Sequence, residues 1–151
     1  MAQDKKVEST AFRILLSSML KHDVKEISVD SLKELPLENV YLLDARKKEE
    51  FEVSHLPNAR WVGYDEFDLK AVKDIPKDKT LVVYCSIGAR SESITRKLKE
   101  AGYPNAYNLY GGLFEWYNRG NKGVKNGEET DSIHGYSKVW SIWVKNGQVV
   151  Y

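Results

Sequence analysis

Four apolar residues in unbroken succession, Leu81-Val82-Val83-Tyr84, run into the chain's only cysteine, Cys85. A strand with one wet face alternates polar and apolar residues. An unbroken run fits a strand buried on both faces, as in a parallel sheet covered by helices. A small loop follows, Ser86-Ile87-Gly88-Ala89-Arg90, and then a helical pattern over 91–101 with Ile94, Leu98 and Ala101 on one face. Gly102 and Pro104 stop it. The same unit recurs along the chain. Ile27-Ser28-Val29 precedes a brief helix with a Ser31–Glu34 capping box, ended by Pro36. Val40–Leu43 precedes a helix over 47–53 anchored by Phe51, and Arg60-Trp61-Val62 precedes a helix over 65–74. A strand over 105–110 leads into a helix opened by Gly111-Gly112, with Leu113, Trp116 and Tyr117 apolar. Strands alternating with helices require crossover connections, so the class is α/β with a mostly parallel sheet.

Both ends depart from that rhythm. Residues 9–22 read as an amphipathic helix capped by Ser9 or Thr10, with Phe12, Leu15, Leu16, Met19 and Leu20 on its apolar face. Residues 120–136 read as a long loop. Ser137–Lys145 reads as a helix with Val139, Trp140, Trp143 and Val144 on one face, and Asn146-Gly147 either caps it or turns a hairpin into Val149–Tyr151. Exposed tryptophans are costly, so this tail is expected to dock on the domain.

A length of 151 residues fits one domain, and a net charge of +1 with scattered Lys and Arg gives no electrostatic footprint for nucleic acid. No stretch approaches the roughly 18 apolar residues of a membrane span, and no signal peptide is expected. One cysteine excludes an internal disulfide, a resolving thiol and a Cys-only metal site. His22, His55 and His134 show no ligand spacing, so no metal is expected. A reducing compartment, the cytoplasm, is the simplest expectation, with a periplasm still open.

In open parallel sheets ligands bind beyond the carboxyl ends of the strands. Those ends are Asp44-Ala45-Arg46, Trp61-Val62-Gly63, the Cys85 loop and Tyr110-Gly111-Gly112. Cys85 is the candidate nucleophile; the alternative is a small packed hydrophobe. Loop N–H groups and a following helix N-terminus would favour its thiolate. Gly88 lets the loop curl so that N–H groups point inward. Arg46 and Arg90 are candidates to bind an anionic substrate, while Arg46 could equally pair with Glu49 or Glu50. Asp44 could accept loop N–H groups, pair with an arginine, or cap the next helix. His55 reads as a structural loop residue.

Three groups of motifs then fit together. Leu42-Leu43-Asp44-Ala45-Arg46, Glu50-Phe51 and His55-Leu56-Pro57-Asn58-Ala59 resemble the opening signature of rhodanese-like domains. Val83–Ser91 resembles their active-site loop. Ala101-Gly102-Tyr103, Asn108-Leu109 and Gly111–Trp116 resemble their closing segment. The resemblance covers about residues 25–120 and leaves 1–24 and 121–151 as extensions. It implies a five-stranded parallel sheet flanked by helices on both faces, and sulfurtransferase chemistry without metal or cofactor. A sulfane sulfur would pass from a small anionic donor such as thiosulfate to Cys85, and then to cyanide, a thiol or a protein acceptor. Ser86, Ile87, Gly88, Ala89 and Arg90 would form the binding loop, with Asp44 and Arg46 in support. Ile87 and Ala89 leave a persulfide or protein donor equally open. Four residues separate Cys85 from Arg90. The phosphatases and arsenate reductases of this fold have one more, so the tighter loop favours a single sulfur over a tetrahedral oxyanion. A non-catalytic binding module is the other alternative. Ser54 and Asn58 stand where the family often has Gly. Monomer and homodimer both remain open.

Overall fold

The computed structural model describes residues 7–151. Its centre is a five-stranded sheet, parallel throughout. The strands are β1 (Glu26–Ile27), β2 (Val40–Asp44), β3 (Arg60–Trp61), β4 (Thr80–Tyr84) and β5 (Ala106–Leu109), in spatial order β1-β5-β4-β2-β3. The apolar run is β4, the middle strand, paired with β2 from Val40–Thr80 to Asp44–Tyr84. Its side chains alternate between two cores. Val82 and Tyr84 join one face with Leu42, and Leu81 and Val83 join the other with Leu43. Both faces are covered, which is why β4 carries no polar alternation.

The first core lies under α1 (Thr10–Met19), α2 (Val29–Glu34) and α5 (Gly112–Asn118), through Phe12, Leu16, Leu32, Leu113 and Phe114. The second lies under α4 (Ala89–Glu100), through Ile94 and Leu98. A further short helix, α3 (Lys48–Val53), follows β2. No helix among the described residues is long and apolar enough to cross a membrane.

Several local expectations need correction. The helix expected over 65–74 is only a 3-10 turn at Leu69–Val72, where the Asp68 carboxylate takes the Lys70 N–H and ends the competition for a longer helix. Helix α2 starts at Val29, with Ser28 Oγ accepting the Ser31 N–H, so Ser28 is the cap and not Ser31. Helix α4 begins at Ala89, two residues before the expected start, and places Arg90 in its first turn.

The tail also differs. Residues 120–136 are not a loop. They hold an antiparallel hairpin, β6 (Gly123–Lys125) with β7 (Glu128–Thr130), and then β8 (Ser132–His134). Asn126 and Gly127 both have positive φ, the turn that suits a two-residue hairpin. Ser137–Lys145 is not a helix; only Trp140–Trp143 forms a 3-10 turn. Asn118 Oδ1 accepts the Lys145 and Asn146 N–H groups at 2.6 and 3.2 Å, drawing the chain off a helical path. The chain then runs into β9 (Gln148–Val150), which pairs parallel with β8, so Asn146-Gly147 turns no hairpin. The tail docks through Trp143, whose ring stacks on Phe12 of α1 at 5.4 Å.

Candidate active site

Cys85 leaves β4 at its carboxyl end and is 1% exposed. Loop and helix then wrap its sulfur. Gly88 has a φ of 123°, open to glycine, and this turns its N–H onto Sγ at 3.1 Å. Ser91 Oγ lies 3.4 Å from Sγ and 2.6 Å from Asn108 Oδ1. A hydroxyl has one proton, and the shorter contact takes it. A Cys85 S–H can therefore donate to Ser91 Oγ, while a thiolate can draw the hydroxyl proton over. Asn108 is buried on β5, and its Nδ2 donates to the Gly88 carbonyl at 3.0 Å, so it fixes the loop from behind.

A second glycine sets the loop's other side. The Leu113 and Phe114 N–H groups donate to the Cys85 and Ser86 carbonyls at 2.9 and 3.0 Å, so the start of α5 holds the loop. Gly112, with a φ of 62°, makes that approach possible. A Cβ there would sit 2.5 Å from the Ser86 carbonyl oxygen.

Arg90 points across the loop to α3. Its Nη1 and Nη2 donate to the Glu50 carboxylate at 2.8 and 3.1 Å, and Nη2 also reaches Ser86 Oγ at 3.0 Å. Ser86 Oγ donates to Glu50 Oε1 at 3.2 Å. Burial alone would raise the Glu50 carboxyl. The hydrogen bonds and charge of Arg90, with the Lys47 N–H, overcome it and hold Glu50 below the ordinary glutamate value. The Tyr136 ring covers Arg90 at 4.8 Å from Cζ.

A cavity of about 140 Å³ opens beside Cys85. Ser86, Ile87, Ala89 and Arg90 line its loop side. Met19 of α1 and Tyr136 and Trp140 of the tail complete its lining.

The expected loop residues are thus gathered round the sulfur. Asp44 and Arg46 are not. Both are wholly buried, with Arg46 Nε and Nη2 on the Asp44 carboxylate and Nη2 on the Ser54 carbonyl. Arg46 therefore has neither the substrate-facing place nor the surface pair that the sequence left open, and Asp44 bonds Arg46 rather than the Cys85 loop. Their pair ties β2 to the segment after α3. His55 stacks on Phe51 at 3.9 Å and its Nδ1 contacts the Phe51 carbonyl. Its backbone bridges Val124.

Glu50, Ser91 and the wall residues escaped sequence reasoning. Glu50 closes a run of five charged residues, Arg46–Glu50, whose order does not show which one turns inward. Asn108 carried a signal, as a polar residue inside an otherwise apolar strand.

Comparison with known proteins identifies the family and the fold. The family model for the rhodanese-like domain matches residues 28–119. A sulfurtransferase of Allochromatium vinosum is 33% identical over 99 residues, covering 64% of this chain and 92% of that protein. The adenylyltransferase and sulfurtransferase UBA4 of Lodderomyces elongisporus is 42% identical over 84 residues, covering 50% of this chain and 18% of that protein. The chain spans about a fifth of the length of the adenylyltransferase and sulfurtransferase relatives it matches. The crystal structure of thiosulfate sulfurtransferase from Pseudomonas aeruginosa superposes with a TM-score of 0.63 at 24% identity, over 83% of this chain and 24% of that one, a likeness of fold.

Proposed function

Because the chain belongs to the rhodanese-like domain family, we propose that it is a sulfurtransferase working through a persulfide on Cys85. The observation that carries this reading is the seat of the sulfur: Sγ faces the cavity loop with the Gly88 N–H on it at 3.1 Å. In the first step the Cys85 thiolate attacks the sulfane sulfur of a donor. A new S–S bond forms, and the donor's leaving group departs with the electron pair. In the second step a thiophilic acceptor attacks the outer sulfur and returns Cys85 to a thiolate. This is covalent catalysis, with one residue carrying the transferred group between two simpler displacements. The Gly88 N–H stabilises the negative sulfur from which the first step starts and to which the second step returns it. Thiosulfate is the simplest anionic donor, and cyanide, a thiol or a protein thiol the corresponding acceptor.

Sulfur transfer is supported over oxyanion chemistry by the short Cys85–Arg90 spacing and by Arg90 itself. Its two terminal nitrogens are already engaged by Glu50, so it offers no open fork for a phosphate. The test is thiocyanate formation from cyanide with thiosulfate and with an organic thiosulfonate as donors. The protein is expected to form thiocyanate, and Cys85→Ser to form none above the uncatalysed rate. Equal rates for the two proteins would leave a binding module in place of an enzyme.

A further inference from the structure

Three residues of the cavity wall lie outside the segment that the family model matches. Met19 ends α1, while Tyr136 and Trp140 come from the tail. The cavity, at about 140 Å³, is close to the ~150 Å³ that accommodates a benzene. It is well under the ~300 Å³ at which drug-sized ligands begin. Its loop side adds the apolar Ile87 and Ala89.

Charge narrows the choice further. Arg90 is the only cationic residue lining this cavity among the described residues. Both its terminal nitrogens donate to Glu50, and the Tyr136 ring covers it. A dianion would have to compete with a buried carboxylate for that guanidinium, beside Met19, Ile87 and Ala89 side chains that cannot hydrogen-bond it. Tyr136 is also held in a left-handed backbone, at a φ of 68°, with its N–H donated to His134 Nδ1 at 2.9 Å. A bulky residue keeps such a conformation only where its surroundings impose it.

We propose that Met19, Tyr136 and Trp140 make this site selective for sulfane donors whose leaving group carries a small uncharged organic substituent, over thiosulfate. The proposal rests on the reading of Cys85 as the sulfur acceptor. The Cys85 thiolate attacks the donor's outer sulfur and forms the new S–S bond. The bond from that sulfur to the remainder of the donor breaks. The leaving group takes the electron pair, as a thiolate from an organic persulfide or a sulfinate from a thiosulfonate. No outside oxidant or reductant is consumed.

The test is single-turnover loading of the full chain by benzenethiosulfonate and by thiosulfate, read by mass. Each rate is divided by that of a small reference thiol with the same donor. The normalised ratio is expected to favour benzenethiosulfonate by about 10-fold or more, the scale on which an apolar pocket discriminates. Met19→Lys puts a cation on the wall and is expected to move the ratio about 10-fold toward thiosulfate. Tyr136→Gly suits the backbone, removes the ring, and is expected to shrink the ratio too, which keeps the test alive if one variant misfolds. A normalised ratio near one, or a ratio untouched in the folded variants, overturns the proposal while leaving Cys85 as the sulfur carrier. No loading by either donor overturns the underlying reading as well.

Discussion

At Cys85 the sulfur has two neighbours of different character, a backbone N–H that always donates and a serine hydroxyl that can donate or accept. The Glu50–Arg90 pair stands beside them. Glu50→Gln leaves a neutral amide against Arg90, where a carboxylate now takes two hydrogen bonds at 2.8 and 3.1 Å. An imperfectly paired buried charge costs about 1–3 kcal/mol. The variant is therefore expected to unfold at lower urea, and its freed guanidinium to speed loading by thiosulfate relative to an organic donor. Urea titration and the two-donor loading assay check the two halves separately. The nucleophile, its loop and Arg90 were legible because a lone cysteine at a strand end is conspicuous. The partners of Arg90 were not. Whether Arg90 meets a substrate or a carboxylate depends on α3 packing beside the loop, and nothing local to residues 85–91 encodes that.

At the scale of elements, the approach of α5 to the Cys85 loop depends on one hydrogen atom at Gly112. Gly112→Ala would press a methyl group 2.5 Å from the Ser86 carbonyl oxygen, in a backbone that alanine adopts poorly. The expected outcome is a loss of stability of about 1–3 kcal/mol. Cys85 loading should fall further than stability does, because the displaced atoms belong to the loop. Melting curves set against loading rates separate the two.

A second element-scale expectation concerns pH. His134 on β8 accepts the Tyr136 N–H through Nδ1. Burial pushes His134 below the ordinary imidazole value. Arg46 and Arg90 act in the same direction, against Glu49 and Glu50. The neutral ring is thus the form the fold selects. Its contribution is complete above about 6.5, the unperturbed histidine value, and is lost as pH falls through the lowered native value. Preference for an organic donor should decline in acid as Tyr136 loosens. His134→Asn, which keeps a short acceptor without the titration, should flatten that decline. The strand–helix alternation of the domain was readable from apolar runs and Gly/Pro stops. The tail was not, although Asn126-Gly127 is a strong hairpin signal. Its 3-10 turn and parallel β8–β9 pairing are set by Asn118 and by docking, both long-range.

Across the whole molecule, the sheet holds Cys85 while α1 and the tail meet over it. The Phe12–Trp143 stack joins these two extensions. Trp143→Ala is expected to destabilise the protein by about 1–3 kcal/mol, in the range of partly buried aromatic truncations. It should lower one cooperative transition rather than create a second, as differential scanning calorimetry would record. The five-stranded parallel sheet was implied by the family resemblance; the strand order is read from the fold. That the two extensions share a wall of the cavity was not implied, since they are more than a hundred residues apart in the chain.

The most direct test of Cys85 as the sulfur carrier is intact mass after brief exposure to a sulfane donor, with thiosulfate and benzenethiosulfonate used in parallel. A gain of one sulfur is expected, placed on Cys85 by peptide mapping, absent in Cys85→Ser and removed by cyanide. An unchanged mass with both donors, or a gain that persists in Cys85→Ser, would contradict it.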